Sequence, residues 1–403
     1  MFNHPSIKTI DRSLINLLPI LFFMGRVMLY LAFIPDGLHG FGDFPIYFNN
    51  TALPGLPYFQ YWSEYPPLYA WTIELIFWIS QGNQFLFDFI LYLLLTLAGS
   101  ISIWLLGNIA LLLYGEEKQT LWRVSVFFGF LAFSAYSWWY FDLVPVTMML
   151  VAIYYILKEK DTQAGIWLGL GILTKWFPIL LLPAIFRFRN FRHFLKISLI
   201  ALGLTVIVWG MHFALSPSMT LASLQSQPSR SSWQTIWALV DGNMTTGAFL
   251  PITEKLIPEM ATFRMGNPAV IPTWLTLVVF AYIGLRLLFR IDSQKKQGLI
   301  PIIGITWVLF LIWSPGWSPQ WVLYLLPLIC LSLPVSKTVL LSFGLLFLSL
   351  IEWPVLLSHH YFASLWVIVP VRLVLFVLLI LAWSRVSKFS QKDDEGVVEV
   401  LRC

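Results

Sequence analysis

Residues 164–192 read AGIWLGLGILTKWFPILLLPAIFRFRNFR, and whether this stretch crosses a membrane once or folds back decides the arrangement of everything after it. Lys158 and Lys160 precede it, Arg187, Arg189 and Arg192 close it, and Thr174-Lys175-Trp176-Phe177-Pro178 interrupts its middle. A single span would leave one basic cluster on each side of the bilayer, against the excess of Lys and Arg expected on the cytoplasmic side. Two half-length helices folded back at Lys175 keep both clusters on one side. Non-helical backbone at that depth is tolerated where it faces protein or a cavity. The stretch therefore reads as a broken hairpin with Lys175 near its tip.

Working outward, the chain of 403 residues is 58% hydrophobic, 17% aromatic and 11% charged, with a mean hydropathy of +0.77. Apolar runs long enough to cross a hydrocarbon core recur from one end to the other without the alternation of membrane strands. The fold class is all-α, a polytopic transmembrane helical bundle of about 11–12 membrane elements. Lys8 and Arg12 ahead of the first run place its start in the cytoplasm, and without a small-residue cleavage site it reads as a retained span. Residues 1–384 form the membrane module, with outer loops at 35–83 and 216–271. Residues 385–403 form a polar cytoplasmic tail. The net charge of +5 reflects basic residues gathered in a few short loops rather than an acidic partner, and no nucleic-acid partner is expected. Cys330 and Cys403 give neither a disulfide framework nor a metal pair.

With that topology, the unusual polar clusters share the outer face. The first is DGLHGFGDFPIYFNNTALPGLPYFQYWSEYPPLYAW, residues 36–71, too rich in Gly, Pro, Asn and charge to be a span. Its carboxylates, Asp36, Asp43 and Glu64, are costly to keep ionised among aromatic residues at a bilayer surface, which marks them as candidates for perturbed pKa and chemistry. The competing reading makes Asp36 and Asp43 turn or helix-cap residues. Arg26, in the first span, is read as approaching its outer end or pairing with Glu74. The other outer elements are the break at Phe141-Asp142, the tip at Lys175, and the long segment 216–271 with Arg230 and Arg264. Ser-Pro-Gln-Trp at 318–321 and the turn holding His359-His360 complete the set. Lys175 reads either as a snorkelling helix-end lysine or as an anion contact or buried pair. The histidine pair reads equally as an exposed turn without a role.

Outward carboxylates can serve as general bases and outward cations can bind a phosphate. No Gly-rich nucleotide cradle, HExxH, GxSxG or closely spaced Cys/His set is present. That disfavours nucleotide-driven, zinc-peptidase and serine-hydrolase chemistry. No cofactor or metal is expected.

Gly42-Asp43-Phe44 with Tyr47, Pro57-Tyr58, Glu64-Tyr65-Pro66-Pro67-Leu68, Phe141-Asp142, the run from Ala164-Gly165 to Lys175 and Pro178, and Ser318-Pro319-Gln320-Trp321 together resemble the GT-C class of integral-membrane glycosyltransferases. The closest likeness is to bacterial mannosyltransferases that use polyprenyl-phosphate sugars. The resemblance implies an outer first loop with interfacial helices and a catalytic carboxylate in that loop, Asp43. It implies an inverting transfer of a hexose or pentose, mannose among them, from a polyprenyl-phosphate donor to a lipid or glycan acceptor on the extracytoplasmic face of the cell membrane. Lys175, Arg230, Arg264 and His359 or His360 would then supply positive charge to the departing phosphate. Asp36, Asp142 and Gln320 would contact substrate, Glu64 would orient the loop or bind sugar hydroxyls, and the aromatic group around Tyr58 would stack on the sugar, though interfacial anchoring explains those rings equally well. A transporter or flippase of a phosphorylated lipid is the alternative, since a cavity with an intramembrane lysine can carry such a lipid without chemistry.

Overall fold

The computed structural model describes the backbone of residues 7–37, 42–247, 250–291 and 295–400, and the side chains of 12–33, 42–247, 250–291 and 295–385. His39 and the side chain of Asp36 lie outside the described residues. Among the described residues the regular elements are helices, in the order α1 (Ile7–Gly37), α2 (Phe44–Thr51), α3 (Pro67–Ile79), α4 (Gln84–Tyr114), α5 (Glu117–Phe133), α6 (Tyr136–Trp139), α7 (Leu143–Leu157), α8 (Asp161–Thr174) and α9 (Leu182–Phe188). There follow α10 (Phe191–Leu215), α11 (Pro217–Ser226), α12 (Ile236–Asp241), α13 (Thr273–Leu288), α14 (Leu299–Trp313), α15 (Val322–Ser332), α16 (Val335–Leu350) and α17 (Leu365–Val400). Among the described residues, six stretches are long and apolar enough to cross a membrane: Arg12–Phe33, Gln84–Tyr114, Phe191–Leu215, Lys296–Trp313, Val335–His359 and Phe362–Arg385. Shorter apolar helices, α3, α7, α13 and α15 among them, fill in between. The result is a polytopic helical bundle, and backbone helix continues past the sequence boundary at 384 to Val400.

The broken hairpin forms as the sequence indicates. α8 stops at Thr174, Lys175 is extended at φ −158° and ψ 140°, and a 3₁₀ turn, Phe177–Leu181, leads into α9. Pro178 cannot supply a backbone donor to continue α8. The return leg comes back to its start: Arg189, just after α9, meets Glu159 at 3.3 Å and Asp161 at 3.3 Å, and His193 also pairs with Asp161. Small residues let the leading leg lie close on α10. A Cβ at Gly165 would stand 2.8 Å from the Ile200 Cβ, and one at Gly169 would stand 3.0 Å from the Ala201 carbonyl, the close backbone approach that drives helix association in lipid.

Helix ends sort onto two faces. On the basic face, Arg123 donates to the carbonyls of Cys330 and Leu333, Gln297 to Leu113, and Arg187 to Leu288 and Ile291. The opposite side carries α2, α6, α11, α12 and the 3₁₀ turns of the long segment, with Asp43, Glu64, Lys175, Arg230, Arg264 and Gln320 gathered around one cavity. Arg26 departs from its expected partner: it does not pair with Glu74. Fully buried, it donates to the Tyr92 hydroxyl at 3.1 Å and to Ser137 Oγ and O at 3.0 Å, with its guanidinium 3.6 Å from the Trp138 ring centre. Those hydrogen bonds and rings replace the water an intramembrane charge would otherwise need. Glu74 instead accepts from Tyr61 at 3.2 Å.

Candidate functional site

The site is assembled where α1 gives way to α2. Gly42 has φ +69°, and a Cβ there would fall 2.5 Å from the Trp139 Cβ, so the chain passes α6 only as glycine. The next residue, Asp43, is pinned by its own N–H to the Trp139 carbonyl at 3.3 Å. It occupies the N-cap position of α2, yet its carboxylate caps nothing. Oδ2 accepts a hydrogen bond from Tyr47 at 3.1 Å, and the Tyr47 hydroxyl in turn accepts from the Phe141 N–H at 3.3 Å. The neighbouring break repeats the pattern. Asp142 is the N-cap of α7, makes no cap bond, and accepts from Lys175 Nζ at 2.6 Å.

A third carboxylate, Glu64, is 2% exposed and lies 2.8 Å from Lys255 Nζ, which also donates to Asn50 at 2.7 Å. Around this pair the long segment docks on the first loop. Ser63 N–H donates to Ser223, Trp62 N–H to the Lys255 carbonyl and Gln227 to the Glu64 carbonyl. Burial raises both carboxyls, and their neighbours separate them. Asp43 is pushed up to about 7, by burial first and then by the charge of Asp142, against Lys175 and Tyr47. For Glu64 the same burial is outweighed by Lys255 and Arg230, which hold it below the ordinary carboxylate range. The half-buried Asp43 and the buried Glu64 are thus set apart, one poised near neutrality and one kept ionised.

These groups open onto a cavity of about 920 Å³. Of the sequence candidates, Asp43, Glu64, Lys175, Arg230, Arg264 and Gln320 line it. Asp142 reaches it through Lys175. Tyr58 is fully buried behind the lining, with backbone φ 69°, its hydroxyl donating to the Tyr65 carbonyl at 2.6 Å and its ring edge-on to Trp209. His359 and His360 are exposed and off the lining. Sequence reasoning gave no role to several lining residues, notably Trp176, Trp233, Gln227, Gln234 and Asp241. It also left Lys255 without its partner and passed over Glu352. An acid inside the apolar run that ends α16 was the available signal. Among the described residues no group of three or more His, Cys, Asp or Glu is placed to hold a metal ion.

The arrangement offers a near-neutral carboxyl, cations around it, and a wall of indole rings. That combination can take a proton from a hydroxyl, hold an anion and stack a sugar ring. No family model matches the chain, and no curated protein matches it. Among solved structures it is similar to the crystal structure of the Archaeoglobus fulgidus oligosaccharyltransferase in complex with Zn and sulfate, at 10% identity and a TM-score of 0.37, over 92% of this chain and 53% of that one. The chain spans about half the length of that protein, and at this level of similarity the match establishes neither family nor activity.

Proposed function

We propose that the chain is an inverting glycosyltransferase that moves a hexose or pentose, mannose being the first candidate, from a polyprenyl-phosphate donor to a lipid or glycan acceptor. The observation that carries the reading is a single poised carboxyl, Asp43, on the wall of a cavity that also holds Lys175, Arg230 and Arg264. Inversion needs one base rather than the closely paired carboxyls of a retaining enzyme. Asp43 takes the proton of the acceptor hydroxyl as its oxygen bonds to the anomeric carbon. The carbon–oxygen bond to phosphate breaks and its electron pair leaves with the phosphate. Arg230 and Arg264, both from the long segment, neutralise that charge, while Lys175 is already engaged by Asp142. Trp176, Trp233 and Trp321 line the cavity and give it the indole surface on which the sugar packs. The positive-inside rule puts this face of the bundle outside the cell membrane.

The test is sugar transfer by purified protein from polyprenyl-phosphate donors to a panel of lipid and glycan acceptors, with donor binding measured in parallel. Asp43→Asn keeps the shape and loses the base, so donor binding stays while transfer falls about 10²- to 10⁴-fold. Near-normal transfer by that variant removes Asp43 from the chemistry. Wild-type protein that carries the lipid across vesicles and transfers sugar to no acceptor would make it a transporter.

A further inference from the structure

We infer that Tyr47 is the positioning residue of Asp43, a fixed donor that aims the carboxylate and sets the protonation range in which it works; this rests on Asp43 being the base. The argument is one of hydrogen-bond direction. The Tyr47 oxygen lies 3.3 Å from the Phe141 amide nitrogen and 3.1 Å from Asp43 Oδ2. A backbone amide can only donate, so it occupies a lone pair of the hydroxyl, and the hydroxyl proton is left for the carboxylate. The relay runs one way, from Phe141 N–H through Tyr47 O–H to Asp43.

The ring cannot swing to another partner. Tyr47 is 2% exposed, sits one helical turn after Asp43 on α2, and is met edge-on by Tyr69 at 5.6 Å. Phe141, the amide donor, is held edge-on by the same Tyr69 at 4.8 Å and precedes Asp142, the partner of Lys175. Tyr47 thereby couples the base to the break at 140–142 and the hairpin tip. Oδ2 is the oxygen engaged by the relay, which leaves Oδ1 to take the acceptor's proton. The other titratable groups around the pair are Asp142, Lys175, Glu64, Tyr65, Tyr69 and Tyr140. Of these, only the charge of Lys175 opposes the upward push of burial and of the neighbouring carboxylates on Asp43, and the Tyr47 proton is the hydrogen bond that favours its ionised form.

Tyr47→Phe keeps the ring and deletes the donor. In the transfer assay the midpoint of the pH–rate profile should rise by about one unit, kcat should fall about tenfold at pH 6.5, and KM for the donor should stay within about twofold. A merely structural role would lower kcat equally at all pH values. A second readout needs no activity: the drop in Tm caused by Tyr47→Phe should be larger at pH 8, where Asp43 is ionised, than at pH 5, and that difference should vanish in an Asp43→Asn background. An unshifted profile, or a Tm drop equal at both pH values, overturns the role of Tyr47. Wild-type protein that transfers no sugar sinks the transferase reading alone, and the unfolding comparison still decides whether Tyr47 serves Asp43.

Discussion

Two buried ion pairs on the same face of the bundle are built to different ends. Arg372 and Glu352 are 4% and 0% exposed. Glu352 accepts from Gln234 at 3.0 Å, from the Trp317 indole at 3.2 Å and from Arg372. The guanidinium also donates to the Gln234 carbonyl and lies 4.6 Å from the Trp317 ring centre. Four separate segments are tied there: the long segment 216–271, the 314–321 loop, the turn that follows α16 and α17. Lys175 and Asp142 are paired at 2.6 Å with 12% and 3% exposure, but Lys175 lines the cavity among the rings of Tyr65, Phe177 and Trp321. The first pair has its charge saturated inside the protein and touches the cavity only through Gln234, which lines it. The second keeps its cation at the wall, next to the one carboxyl poised near neutrality. Burial alone does not distinguish scaffold from chemistry; where the partners of each charge lie does.

The sharpest way to break the comparison is Arg372→Met, which strands Glu352 without its counter-charge. Stability should fall by about 3–5 kcal/mol, read by thermal or denaturant unfolding of the purified protein. The double variant Arg372→Met with Glu352→Gln should regain most of the loss. Equal instability of single and double variants would mean that the pair is not what ties these segments.

Next in size is the dependence of stability on pH through Asp43. Its folded carboxyl is raised to about 7, above the ordinary value of about 3.9. The folded state therefore holds a proton that the unfolded chain has lost over that window, and stability drains away as pH rises through it, levelling off above 7. Asp43→Asn escapes the loss. The variant should gain roughly 2–3 kcal/mol on wild type between pH 5 and pH 8, and a gap independent of pH would show that Asp43 is ordinarily solvated.

Lys175→Met removes a cation that favours the ionised form of Asp43. The midpoint of the pH–rate profile should move up by about one unit, an effect of about tenfold on rate below it. An unshifted profile with weakened donor binding would turn Lys175 into a phosphate contact instead. The smallest effect belongs to the exposed histidines. His359→Ala and His360→Asn, the latter chosen because residue 360 has φ 63° and Asn tolerates that region, should leave stability within about 0.5 kcal/mol and transfer essentially unchanged. A large loss of transfer in either variant would bring the 357–364 turn into the site.

Much of this was legible along the chain because membrane burial writes itself locally. Each span is a continuous apolar run, and the fold-back at Lys175 follows from basic residues on both flanks of one short run with Pro178 behind the tip, needing no knowledge of neighbours. That Asp43 and Glu64 lie among aromatic residues was equally a matter of adjacent residues. Side-chain direction was not. Whether Asp43 caps its helix or faces a cavity depends on Tyr47 and Phe141, brought together where α2 meets the break between α6 and α7. Tyr58 stands beside the same residues in sequence, but its left-handed backbone turns the ring toward Trp209. The partners of Glu64, Arg26, Glu352 and Arg372 lie on elements far away in the chain. Periodicity and hydropathy report how much a residue wants to leave water, which is a property of a segment; which charge meets which is decided only when distant segments pack, and the tertiary structure alone supplies those pairings.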